Sequence, residues 1–148
     1  MISESHSLVK FMRDIDIEDS NLQYKPTLRD CYIAYRRLNK DIFKNKLPRI
    51  RIQLKRLHGA WGECESKNNQ CIIRLGKRYK NKQFFLMVLA HEMVHVYQHY
   101  YEANMNHGNT FQSWRPKFAR FCIPLSLGYK NNSITWHAQR KYTQISRR

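Results

Sequence analysis

From Gln83 to Tyr101 the chain runs without a single Gly or Pro, and Leu86, Leu89, Met93, Val96 and Tyr100 recur at three- and four-residue steps. That spacing predicts one long helix with an apolar stripe turned to a core. The same segment reads His91-Glu92-Met93-Val94-His95. Residues four apart on a helix lie one turn apart on one face, so both imidazoles can aim at a single ion. Glu92 is rotated by about 100° from His91, close enough to take a proton from a water without being a ligand itself. The stripe lies opposite His91, so the sequence predicts that the histidine pair faces a cleft rather than the packing seam. The alternative is a solvated polar face with no metal.

Catalytic zinc sites commonly use three protein ligands and keep a fourth position open. The other histidines are His6, His58, His99, His107 and His137. His99 continues the four-residue series, but it stands about 12 Å along the axis from His91. Bonds of about 2.0–2.1 Å cannot gather both around one ion. His107 is better placed: the chain must leave the helix and turn back before it, and Gly108 supplies backbone freedom beside it. The expected set is one Zn2+ held by His91, His95 and His107, with Glu92 as general base. Tyr97, His99, Tyr100 and Tyr101 are candidates for a second oxyanion donor, and Gln98 for a supporting role.

Three further segments give the frame. Thr27 with Asp30 forms a capping-box start, and behind it Leu28, Cys31, Tyr32, Tyr35, Leu38 and Ile42 make one stripe of an amphipathic helix. Ile50, Ile52 and Leu54 alternate with Arg51, Gln53 and Lys55, the period of a half-buried strand. A polar turn at 67–70 followed by Cys71-Ile72-Ile73-Arg74-Leu75 predicts a β-hairpin. Beyond the long helix, Trp114, Phe118 and Phe121 are core at helical spacing, in a piece that Pro116 kinks or restarts. The reading is a single α+β domain: a small antiparallel sheet packed with a basic first helix and the metal-binding helix. Residues 1–26 read as a polar arm, 27–128 as the domain and 129–148 as a basic, aromatic tail.

The chain of 148 residues carries a formal charge of +16, and the surplus lies wholly after residue 30, the segment before it being net acidic. Such a field concentrates polyanions. Two surfaces are expected to meet nucleic acid. One is the first helix and following strand, with Arg36, Arg37, Lys40, Lys44, Lys46, Arg49 and Arg51. The other is the tail, where Trp136 stands among Lys130, Arg140 and Lys141. Cations with interleaved aromatics suit a single strand, bound without sequence preference. No apolar run approaches the roughly 20 residues that span a bilayer. No secretory signal opens the chain, which leads to the expectation of a soluble intracellular protein with no membrane partner. Cys31, Cys64, Cys71 and Cys122 form no C-x-x-C pair, so a cysteine zinc ribbon is excluded and reduced thiols are expected.

His91-Glu92-Met93-Val94-His95-Val96-Tyr97-Gln98 followed by His107-Gly108-Asn109-Thr110-Phe111 resembles the SprT-like metalloprotease domain. Its HExxHxxQ and downstream His-Gly, with a Phe three residues after the Gly, are matched here. Leu38 to Pro48, with its Phe43 and Leu47-Pro48, resembles the family's first helix and exit, and Gly59-Ala60-Trp61-Gly62 and Ile72–Leu75 resemble its strands. The resemblance implies a zincin-like, zinc-dependent protease acting on DNA-associated or DNA-crosslinked proteins, as the Spartan proteins do. It departs from the family in lacking the terminal zinc ribbon, so any DNA contact falls to the basic surface and tail. Two other functions remain open: a non-catalytic DNA-binding adaptor with a structural zinc site, and a metal enzyme acting on bonds other than peptides.

Overall fold

The computed structural model describes residues 24–102 and 104–125. In chain order the elements are α1 (Leu28–Asp41), β1 (Arg51–Leu54), β2 (Gly62–Lys67), β3 (Gln70–Leu75), α2 (Lys82–Tyr101), α3 (Asn109–Gln112) and α4 (Arg115–Ala119). The architecture is α+β.

The cap predicted for α1 is present in full: Thr27 Oγ1 accepts from Asp30 N at 3.0 Å, and Asp30 Oδ2 accepts from Thr27 N at 2.9 Å. Cys31, Ala34, Tyr35 and Leu38 are buried, while Arg29, Arg36, Arg37 and Lys40 face out. Leu28, placed on the core stripe by its spacing, is 45% exposed at the first turn of the helix. Past the helix, Asn39 accepts from Leu47 N and donates to Leu47 O, both at 3.0 Å, closing the 42–47 loop on itself. That loop drives Phe43 into the interior, 4.5 Å from the Trp114 ring and 5.6 Å from Phe118.

The sheet has three strands in the order β1-β3-β2. The hairpin is confirmed: β2 and β3 are antiparallel, and Asn68 and Asn69 turn between them with φ of 53° and 61°. Two successive left-handed residues match the twist of the flanking strands, and asparagine tolerates that region better than most residues. The wholly antiparallel sheet expected from the sequence is corrected. β1 runs parallel to β3, with Ile52 beside Ile73 and Leu54 beside Leu75. The connection from β1 carries the chain to the far edge before the hairpin returns it to the middle. Alternation of side chains reports which face is buried but not strand direction. On the outer face Arg74 joins Glu63 and Glu65.

α2 corrects a second expectation. It has no single apolar stripe: the helix is buried from Gln83 through Val96 and again at Gln98. α1, the sheet and the pieces after residue 108 enclose it, and Phe84–Ala90 is the all-round apolar composition of a core helix. Tyr100, assigned to the stripe, is 37% exposed where the helix leaves the core. Pro116 does restart the helix, standing in the first turn of α4. Trp114, Phe118 and Phe121 are buried as expected. All four cysteines are free. Among the described residues no helix is long and apolar enough to cross a membrane.

Candidate metal centre

His91 and His95 lie on successive turns of α2 and are 5% and 8% exposed. The cleft they face is narrow, with His107 as its solvent-facing side. The three Nε2 atoms form a small triangle: His91 to His95 3.2 Å, His95 to His107 3.2 Å, His107 to His91 2.9 Å. A tetrahedral ion with bonds of about 2.0–2.1 Å sets its ligand nitrogens about 3.3 Å apart, so the triangle fits a metal ion held by three imidazoles. The donor set is consistent with zinc. Burial holds His95 and His107 below the ordinary imidazole range, which keeps both neutral and able to donate a lone pair.

Two residues build the frame around this triangle. Gln98 is fully buried. Its Oε1 lies 2.8 Å from His95 Nδ1, which fixes that nitrogen as the protonated one and leaves Nε2 for the ion. The same amide accepts from Asn106 N at 3.1 Å and donates to Asn106 O at 2.9 Å, with a longer contact to Thr110 Oγ1 at 3.4 Å. One side chain thus orients a helix-borne ligand and clamps the loop that carries His107. Phe111 is the second. Fully buried, its ring lies 4.8, 5.3 and 4.9 Å from the rings of His91, His95 and His107. From spacing alone Phe111 is only a matched motif position. The α3 turn that puts it beneath all three imidazoles is set by long-range packing, which spacing does not report.

Glu92 is 4% exposed and leans toward the sheet. A β-carbon placed on Gly62, at the start of β2, would stand 3.4 Å from Glu92 Cγ and 2.7 Å from Val88 Cγ1. Only glycine lets the strand lie this close to the helix. Burial, and secondarily the Glu63 charge, pushes the Glu92 carboxyl up to about 8.

The remaining predicted residues lie in other contacts. His99 Nδ1 is 3.2 Å from Ser66 Oγ on β2, and His99 is not one of the clustered ligands. Tyr97 packs against Phe43, Trp114 and Tyr101. The Tyr101 hydroxyl donates to Lys46 O at 2.6 Å, and that of Tyr100 accepts from Cys71 N at 3.4 Å. Arg36, Arg37, Lys40, Lys44, Lys46, Arg49 and Arg51 are all exposed, spread over α1 and the approach to β1. Lys130, Trp136, Arg140 and Lys141 lie outside the described residues, as do His6 and His137.

A buried helix offering two histidines and a carboxylate, with a third histidine from a clamped loop, defines a metalloprotease-type domain. The SprT-like family profile matches residues 32–127, well over half the chain, and the chain belongs to that family, which is generally one of zinc metalloproteases. No curated protein sequence matches the chain closely enough to stand as a relative.

Proposed function

We propose that this chain is a zincin-like zinc metalloprotease that cleaves proteins lying on, or crosslinked to, DNA. The observation that carries the reading is the convergence of three imidazole nitrogens within 2.9–3.2 Å of one another, in a chain of the SprT-like family. Zinc held there by His91, His95 and His107 would supply the Lewis acidity that activates a water and polarises the scissile carbonyl.

The chain's own groups do the rest. Glu92 takes the proton of the attacking water and returns it to the leaving amine nitrogen. It sits in a buried cleft with no counter-ion among the described residues, so its basicity is maintained where bulk water is largely excluded. A protein that used the metal only for structure would gain nothing by burying that carboxylate. Gln98 and Phe111 hold the ligands so that no reorganisation is needed at the moment of reaction. Family membership and the +16 charge support DNA as the partner. The exposed cations of α1 and the basic, aromatic tail are the candidate contacts proposed from sequence.

The test is metal content by mass spectrometry together with cleavage of an unstructured protein, with and without single-stranded DNA. Wild type is expected to hold one zinc and to cleave. Glu92→Gln is expected to hold zinc and lose hydrolysis by at least about a hundredfold. His107→Ala is expected to lose both. Comparable turnover by Glu92→Gln would refute the mechanism.

A further inference from the structure

A cavity of about 990 Å³ lies between the β1–β2 loop and the segment following β3, and meets the metal-binding helix at Gly62. Its walls include Arg56, Trp61, Gly62, Gly76, Lys77 and Arg78, and no Asp or Glu lines it. Arg56, Lys77 and Arg78 are exposed, and among the described residues none of the three has a carboxylate partner. The walls are fixed to each other. Trp61 O accepts from the Tyr79 hydroxyl at 2.6 Å and from Gly76 N at 3.2 Å, and Gly76 N also reaches the Tyr79 oxygen at 2.9 Å. The Trp61 ring is supported from inside by Phe84 at 5.0 Å and Tyr79 at 5.9 Å. Gly62 belongs both to this cavity and to the close approach on Glu92.

From this arrangement we infer that the cavity is a binding site for single-stranded DNA: a base stacks on Trp61 while Arg56, Lys77 and Arg78 hold the flanking phosphates. A rigid indole in a cleft with three cations and no acid is the combination that single strands require. Every nucleotide of a strand brings both a ring and a phosphate, whereas an acidic peptide brings a ring only where an aromatic residue happens to stand among its carboxylates. None of these four residues belongs to the α1 or tail surfaces considered above. The inference deepens the proposed function and rests on it for one consequence: DNA held here sets a protein bound to that strand next to Glu92.

The experiment measures binding of a fluorescein-labelled oligothymidylate to the full chain by anisotropy across salt concentrations, with Trp fluorescence read in parallel. Arg56→Gln/Lys77→Gln/Arg78→Gln is expected to weaken binding at least about tenfold and to lower the salt slope by about 2, at roughly 0.7 per phosphate contact. A charge-matched control, Lys67→Gln/Lys117→Gln/Arg120→Gln, removes exposed cations that do not line the cavity and is expected to shift binding less than a third as much. Trp61→Ala is expected to cost about tenfold. Trp61→Phe keeps a ring against Phe84 and guards against a folding defect; it is expected to retain binding within about threefold and, in a Trp136→Phe background, to abolish DNA-dependent quenching. Photocrosslinking with 5-iododeoxyuridine is expected to label the peptides carrying Trp61 or 77–78.

Equal binding by the cavity and control triples overturns the inference. So does crosslinking confined to α1 or the tail, or polyglutamate displacing the oligonucleotide as well as unlabelled DNA does. Protein cleavage by wild type in those cases leaves the protease reading standing. Cavity-dependent DNA binding by a chain that cleaves nothing refutes the protease reading and leaves this site.

Discussion

Replacing Gln98 by leucine keeps nearly the same volume in a fully buried position and removes every hydrogen bond the amide makes. Three of those bonds are short: from His95 Nδ1 at 2.8 Å, from Asn106 N at 3.1 Å and to Asn106 O at 2.9 Å. At about 1 kcal/mol net for each, and with partly buried partners left bare, the fold should lose about 2–4 kcal/mol. The larger consequence is at the ion. His95 loses the acceptor that fixes its tautomer, and the loop holding His107 loses its clamp. Loss of such supporting contacts lowers metal affinity by roughly 10–100-fold, or about 1.4–2.8 kcal/mol.

Zinc affinity measured by chelator competition, beside a denaturant titration of the metal-free protein, separates the two effects. Gln98→Glu is the informative partner. A carboxylate still accepts from His95 and from Asn106 N, but it faces Asn106 O with no proton to offer. Its affinity should therefore fall between wild type and Gln98→Leu, with the His95 tautomer preserved in nitrogen-15 spectra. Wild-type zinc affinity in Gln98→Leu would refute the clamp, whatever happened to stability.

Three further outcomes are expected. In the metal-free protein Glu92 has its folded value raised to about 8 from 4.5, so the fold binds this proton more tightly than the unfolded chain does. Its contribution falls as pH rises from 4.5 to 8 and reaches a penalty of up to about 5 kcal/mol above pH 8. Glu92→Gln removes that slope; His95 and His107 titrate in both proteins, so the wild-type-minus-variant difference isolates Glu92, and a melting-temperature difference constant from pH 5 to 8.5 would contradict it. Gly62→Ala puts a methyl 2.7 Å from Val88 Cγ1 and should destabilise by about 1–3 kcal/mol on a thermal melt, whereas a neutral effect would show that β2 does not press on α2. Phe111→Ala should cost about 3–5 kcal/mol and weaken zinc binding together with stability, while a variant with full zinc affinity would show that the ring does not seat the ligands.

Much of this was legible in the sequence because it is local. A capping box is complete within four residues, a hairpin turn within two, and the HExxH pair within one turn of helix, so Thr27, Asn68-Asn69 and His91–His95 all stand where spacing put them. His107 was the better placed of the remaining histidines, since the chain must turn back just before it and Gly108 follows it. What failed depends on partners distant in the chain. Strand direction follows from which edge the 55–61 connection crosses to, and alternation within Arg51–Leu54 is the same for either direction. The stripe assigned to α2 assumed a helix with a wet side. Seven apolar residues in a row at Phe84–Ala90 were the signal that there is none.

The enclosed helix has a consequence for how the site is built. Histidine and glutamate are expensive to bury unpaired, and here both histidines of the pair and the glutamate lie in a helix sealed on nearly every side. The cost is offset differently at each. His95 is satisfied by Gln98, and the imidazole nitrogens that face one another need a cation between them to be comfortable at 2.9–3.2 Å. Glu92 is not offset by any ion pair among the described residues, and a neighbouring Glu63 adds to its discomfort. Cation binding a short distance away relieves all three groups at once, so metal uptake and folding of this region should be strongly coupled. The element with most to lose on chelation is the His107 loop, which is exposed and held through Gln98. Hydrogen exchange with and without zinc should therefore change first at residues 104–110 and least at Phe84–Ala90; uniform protection in both states would show that the loop is fixed by packing alone.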